Sequence, residues 1–192
     1  MNEPQQALEQ IELITRMIET TRRSGSQYWA ALVTFGSLAI LAATCSHVLL
    51  VAGSSGWIAP VWLAAVAIAF AVNAAQLRRD RQVEQIVSYV DQLLAKLWLA
   101  VSLAILTIWI ACLSTGAPAV LGVVATASLI GAGLFTSARA VDWAPLQAAG
   151  ALWWLGALAM AFLPDQMFLI EIGLIVFGYL LPAWRLRQLG AE

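Results

Sequence analysis

The sequence predicts an all-α, polytopic membrane protein. It would have six transmembrane helices in three hairpins, two cytoplasmic amphipathic helices, and both termini in the cytoplasm. Three observations lead there. The composition is 61% hydrophobic and only 11% charged, with a mean hydropathy of +0.83, whereas soluble domains use roughly 45–50% apolar residues. Six apolar runs each approach the roughly 20 residues needed to cross a bilayer. Finally, all the Lys and Arg residues, 10 in number, fall in segments that an even-numbered topology gathers on one side. A net charge of −1 carries no basic bias toward nucleic acid.

Residues 1–27 read as a cytoplasmic amphipathic helix and linker. Pro4 is tolerated in a first turn. Leu8, Ile11, Ile14 and Ile18 trace an apolar stripe, and Glu9, Glu12, Arg16 and Glu19 fall on the polar side. Glu12 and Arg16 have the favourable i,i+4 order. Ser24–Gly25–Ser26 ends the segment. It lacks the basic n-region and cleavage site of a signal peptide, and so reads as retained.

Residues 28–192 hold the six-span domain, with runs at Tyr28–Val51, Trp57–Leu77, Leu97–Thr115, Pro118–Ala138, Pro145–Leu163 and Met167–Trp184. Inside hydrocarbon the backbone must satisfy its own hydrogen bonds, so each run is read as helix. "AGSSG", "STGAP" and "LPDQ" separate the members of successive hairpins and carry turn chemistry. Arg16, Arg22 and Arg23 precede the first run. Arg78, Arg79, Arg81 and Lys96 lie between the second and third, Arg139 follows the fourth, and Arg185 and Arg187 follow the sixth. The positive-inside rule then places both termini in the cytoplasm. Trp29, Trp98, Trp143 and Trp184 fall at the cytoplasmic interface and Trp57 and Trp62 near the opposite one. Trp109, Trp153 and Trp154 lie deeper, where helix packing is the favoured role.

Between the second and third runs, residues 79–96 predict an interfacial helix. Val83, Ile86, Val87, Val90, Leu93 and Leu94 recur at three- and four-residue spacing, with Arg81, Glu84, Gln85, Ser88 and Asp91 on the other face. Arg22, Arg23, Arg78, Arg79 and Arg81 are candidate contacts for lipid headgroups or a cytoplasmic partner. No Gly or Pro occurs between Val61 and Leu113, so near-continuity of the flanking helices is expected. Small residues predict close packing on two faces: Ala67, Ala71 and Ala75 in the second span, and Ser128, Ala132, Thr136 and Ala140 in the fourth. Gly122, Gly131 and Gly133 suit the fourth span to a crowded, central position.

Ionisable groups inside a membrane are costly and default to functional candidates. Glu171 and His47 both fall near the outer ends of their spans, and a His–carboxylate pair there would handle a proton or a cation. Asn73, near the inner end of the second span, joins His47 and Glu171 as a candidate ion or proton site that would line the inner end of a path, and is otherwise expected to bond across to a neighbouring helix. Cys45 and Cys112 read as small packing residues. One histidine and no CxxC argue against zinc. No nucleophile elbow, Walker loop, dinucleotide fingerprint or acidic pair is present, so no enzyme activity, cofactor or metal is expected.

The segments "ITRMIETTRR" before the first span, "YVDQLLAKLW" before the third and "GYLLPAWRLR" at the end are similar to a family of small bacterial six-span integral membrane proteins of unknown function with an N-terminal amphipathic helix. The resemblance implies fold and location only. The functional expectation is a non-enzymatic bacterial inner-membrane protein. It would act through homo-oligomerisation, or by anchoring an unidentified protein partner at the cytoplasmic face, in contact with membrane lipids and not with nucleic acid. The rivals are a small transporter or channel component, for which discontinuous spans are the usual sign, and a lipid- or quinone-binding protein built on Trp109, Trp153 and Trp154.

Overall fold

A computed structural model describes residues 32–83 and 89–191, so the predicted helix within residues 1–27 lies outside the described residues. The helices are α1 (Leu32–Val51), α2 (Ile58–Val83), α3 (Tyr89–Thr115), α4 (Ala119–Ala140), α5 (Ala144–Phe162) and α6 (Met167–Ile175). A π-helical turn (Val176–Leu180) joins α6 to α7 (Leu181–Ala191). Six stretches are long and apolar enough to cross a bilayer. Large side chains such as Leu63, Leu113, Leu155 and Phe162 stand exposed around the bundle, a surface that water would penalise and lipid accepts. This is a multi-pass membrane protein.

Three of the helix ends share one chemistry. After α1 the Ser54 N–H donates to the Leu49 carbonyl and the Gly53 N–H to the Leu50 carbonyl, with Gly53 at φ 71°. This pairing satisfies carbonyls that a helix end would otherwise leave bare, and it requires the left-handed conformation glycine adopts freely. Gly116 at φ 66° plays the same part after α3, where the Ala117 N–H reaches the Cys112 carbonyl. After α4 the left-handed position is held by Asp142 at φ 49°, and the Trp143 N–H donates to the Ala138 carbonyl. Pro145 then fits the first turn of α5.

The stretch 79–96 divides between two long helices. α2 runs on through Arg78, Arg79 and Arg81 to Val83, α3 starts at Tyr89, and residues 84–88 lie outside the described set.

Neighbouring helices run antiparallel. Gly122 and Gly133 of α4 receive Trp109 and Trp98 of α3, and Gly150 of α5 meets Phe135 and Gly131 of α4. Gly156 and Trp153 of α5 meet Leu174 and Gly178 of the sixth span, and Gly36 of α1 packs on Ile175, Tyr179 and Leu180. α2 joins α1 through the Trp62–Ser46 hydrogen bond and an edge-to-face contact between Phe35 and Phe70. The described contacts therefore run α3–α4–α5–α6–α1–α2. The core lies along the middle of this series and is built on Leu134, Leu146, Trp153, Met160 and Ile175. Only 6% of the α2 and α3 spans is buried, against 33% for α4, 39% for α5 and 44% for the sixth span, so the first two are peripheral.

The small-residue face of α2 differs from expectation, and that of α4 differs at Thr136, since Ser128, Ala132 and Ala140 are half-buried. α2 turns Ala69, Ala65, Trp62 and Val61 inward and leaves Ala67, Ala71 and Ala75 exposed. The Ser46–Trp62 bond and the Phe35–Phe70 contact set this rotation, and residues two positions from Ala69 then point roughly 200° away. In α4 the buried face is Val123, Ala127, Gly131, Leu134 and Ala138, while Thr136 is exposed. The tryptophans of α3 and α5 fill the gaps the glycines leave, so glycine positions and not Ser128 or Thr136 decide which side faces inward.

The sixth span is interrupted, which its apolar run did not signal. The Leu181 N–H donates to the Val176 carbonyl, five residues back. Pro182 has no N–H for the Gly178 carbonyl, and its ring would clash there in a regular helix. The wider turn accommodates it. Helical backbone continues to Ala191, past the apolar limit at Trp184.

Candidate functional site

Phe168, Glu171, Leu174, Ile175, Gly178 and Tyr179 line the buried face of the sixth span, and Leu169 and Phe177 face out. The i, i+3, i+4, i+7 spacing of this face is the reason a glutamate lies in the core: it occupies a helix position that packing fills. Glu171 is 7% exposed, and its Oε2 has no hydrogen-bond partner. A buried polar atom without a partner costs about 1–3 kcal/mol.

α1 presents Gly36, Ile40, Ala43 and His47 along one stripe. Gly36 meets Ile175, Tyr179 and Leu180, so the antiparallel register puts Ala43 near the level of Glu171. His47 then lies about 6 Å further toward the end that bears Gly53, at 1.5 Å per residue. Its imidazole is half-buried and Nδ1 has no partner. Sequence reasoning paired these two residues. The structure puts them at the same end of the bundle with a buried, open polar atom on each, and no hydrogen bond or ion pair joins them.

Few other charges approach the facing sides of α1 and the sixth span. α5 has no charged residue, and the one charge of α4, Arg139, is at the opposite end, as is Arg185 of α7. In the described part of α1 the only other titratable group is Cys45, which is exposed, and Asp165 in the turn before α6 is also exposed.

Asn73 belongs elsewhere. It bonds within its own helix, donating through Nδ2 to the Ala69 carbonyl at 2.8 Å, where a bond to a neighbour was expected. The carbonyl one turn back is simply within closer reach. Its level on α2 is roughly 20 Å from that of His47 along the helix axes. The antiparallel helices bring Arg78, Lys96, Arg139 and Arg185 to that same end, all exposed. Arg79 and Arg81 lie on α2, and Arg22 and Arg23 lie outside the described residues.

Two buried serines escaped the sequence reading. Ser46, fully buried, donates to the Ala42 carbonyl at 2.7 Å and accepts from Trp62 Nε1 at 3.0 Å. Ser137 is equally buried and its Oγ has no partner. Its adjacency to the Ala127–Gly131–Leu134–Ala138 stripe was a usable signal. The deep tryptophans are engaged in packing: Trp109 Nε1 donates to Thr126 Oγ1 and Trp154 Nε1 to the Ser128 carbonyl, each at 3.0 Å. Trp153 stacks edge-on with Tyr179 at 5.4 Å, and its Nε1 has no partner. Cys45 and Cys112 are both free.

Chemically, one carboxyl and one imidazole fall short of the four ligands of zinc or the six to eight oxygens of calcium. No cluster of three or more His, Cys, Asp or Glu side chains occurs among the described residues. A carboxyl and an imidazole are both groups that bind and release protons. No family model, curated protein or solved structure matches the chain, so the resemblance to six-span bacterial membrane proteins rests on the quoted segments alone.

Proposed function

We propose that this is a non-enzymatic protein of a bacterial inner membrane, N- and C-terminus cytoplasmic, that works through its own oligomerisation or by anchoring a partner at the cytoplasmic face. The supporting observation is the uneven packing. α2 and α3 spend almost none of their surface on the chain's own core, and α2 turns Ala67, Ala71 and Ala75 outward. A small-residue face lets a second helix approach closely enough to gain dispersion contact and leave lipid. The exposed Arg78 and Lys96 at the end of this surface favour anionic headgroups or an acidic partner segment beside it.

The test is association in lipid nanodiscs or mild detergent. Wild type is expected to assemble, and Ala71→Trp on α2 to reduce assembly, with deletion of residues 1–24 measured in parallel. Monomer alone, with no partner and no change on deletion, refutes the reading. Orientation is tested in intact cells with a membrane-impermeant thiol probe. A cysteine replacing Arg78 should be protected and one replacing Ser54 labelled; the reverse pattern refutes the cytoplasmic assignment.

A second reading, a small transporter or channel component, draws on a different observation: a buried carboxyl with an open oxygen on a span broken by a π turn. Intramembrane carboxyls and interrupted spans recur along translocation paths. Proton or cation flux in proteoliposomes that falls in Glu171→Gln supports it, and flux equal to empty liposomes removes it.

A further inference from the structure

We propose that Glu171 and His47 together form a proton-binding site in the seam between α1 and α6, entered from the end of the bundle opposite the arginines. This deepens the second reading by naming its site and ligand, and it holds whether or not the protein moves ions.

Four observations carry it. Glu171 is more than nine-tenths buried and presents an unpartnered oxygen to the core. His47 is in helical register with Gly36, the α1 residue that meets the sixth span, and also has an unpartnered buried nitrogen. The register separates their levels by about 6 Å, a gap that two side chains of this length, or one intervening water, can bridge. Among the described residues, no Lys or Arg faces the seam, since Arg139, Arg185, Arg78 and Lys96 are all at the far end, while Asp165 and Cys45 are turned outward. Tyr179, two turns along the same face, is occupied by Trp153 and by a further interaction.

In the exchange, a protonated His47 gives one N–H proton to a Glu171 carboxylate oxygen, leaving a neutral imidazole and a carboxylic acid. The reverse step restores the starting pair, and the imidazole trades its proton with water at its own end. No other group is consumed. A carboxyl held this way needs no fixed cation beside it, because the proton itself cancels the charge that burial penalises.

The experiment uses dicyclohexylcarbodiimide, an apolar reagent, on the full-length protein in nanodiscs. A carboxylic acid adds across one of its C=N bonds, the acid proton going to nitrogen, and the adduct rearranges to a stable acylurea carrying the whole reagent mass. Peptide mass spectrometry should place the adduct on Glu171, its yield should depend on pH between about 5 and 9, and Glu171→Gln should abolish it. In His47→Ala the midpoint of the pH curve should move by about one pH unit or more, the scale on which a neighbouring charge acts. The wild-type curve needs no variant and is unaffected by any folding defect. No adduct on Glu171 while other carboxyls react, a yield independent of pH, or a curve unchanged in His47→Ala overturns the proposal. Labelling as expected without flux in proteoliposomes supports the site and removes the transport reading.

Discussion

Gly150→Ala and Gly173→Ala make the same chemical change in two helices, with outcomes expected to diverge. A methyl carbon at Gly150 would lie 2.7 Å from the Phe135 backbone nitrogen and 2.8 Å from the Gly131 carbonyl oxygen. Non-bonded carbon contacts settle near 3.5–4.0 Å, so α4 and α5 must part by roughly 0.7–1 Å. Both obstacles are backbone, and no side-chain rotation relieves them. The separation loosens an extensive seam, including the seat of Trp154 on Gly131. Overpacking of this kind costs about 1–3 kcal/mol. Better helix propensity returns at most about 1 kcal/mol, and less where the unfolded reference in detergent retains helix. The net expectation is a loss of about 1–2 kcal/mol, or a roughly 5- to 30-fold smaller folding constant. At Gly173 nothing lies within 4 Å of the same carbon, so only the propensity term acts and the change is neutral to about 1 kcal/mol stabilising. Reversible unfolding in mixed detergent, or steric trapping in bicelles, measures both. Gly150→Ala as stable as wild type, or Gly173→Ala as damaging as Gly150→Ala, refutes the argument from close approach.

Three further outcomes follow from the same geometry. A double-mutant cycle between Ser46→Ala and Trp62→Phe should give a coupling of about 0.5–1.5 kcal/mol, the range of hydrogen bonds between membrane helices, and additive losses would show that the bond does not tie α2 to α1. At Asp142, φ 49° predicts that Asp142→Gly is tolerated while Asp142→Val costs about 1–2 kcal/mol, read from the unfolding midpoint. Pro182→Ala should let the π turn relax to regular helix, rotating α7 against α6 by about 100°. Cysteines placed at buried Ala183 and exposed Trp184 should then change in reactivity toward an apolar maleimide, and an unchanged pattern separates the turn from the proline.

The sequence made the spans and their breaks legible because they depend on local chemistry. Gly53, Gly116 and Pro164 punctuate apolar runs, and the structure ends α1, α3 and α5 beside them. The crowding of α4 was legible for a similar reason, since glycines inside a long apolar helix leave room that something must fill. The partner of each glycine was not readable. That Gly178 takes Trp153 and Gly36 takes Tyr179 is decided by the relative height and rotation of helices far apart in the chain. The same applies to α2: its alanine stripe is plain in the sequence, but the side facing α1 is set by single contacts at Ser46 and Phe35. The π turn had a visible cue in Pro182, yet an apolar run registers hydropathy and is blind to one missing N–H. Glu171 and His47 were recognisable as rare groups in greasy spans. That α1 lies against the sixth span was not, because it depends on the packing of helices far apart in the chain.

The contact between α1 and the sixth span joins segments far apart in the chain, with a consequence for biogenesis. Gly36 leaves the ribosome roughly 140 residues ahead of Tyr179 and Leu180, the side chains it packs against. At about 5–20 residues per second of synthesis, the leading hairpin waits about 7–30 seconds in the membrane before its other neighbour is made. Until then it has the Ser46–Trp62 bond and the Phe35–Phe70 edge to hold it together. A nascent chain truncated before the final helix would thus expose an uncovered glycine face to insertion chaperones and membrane proteases.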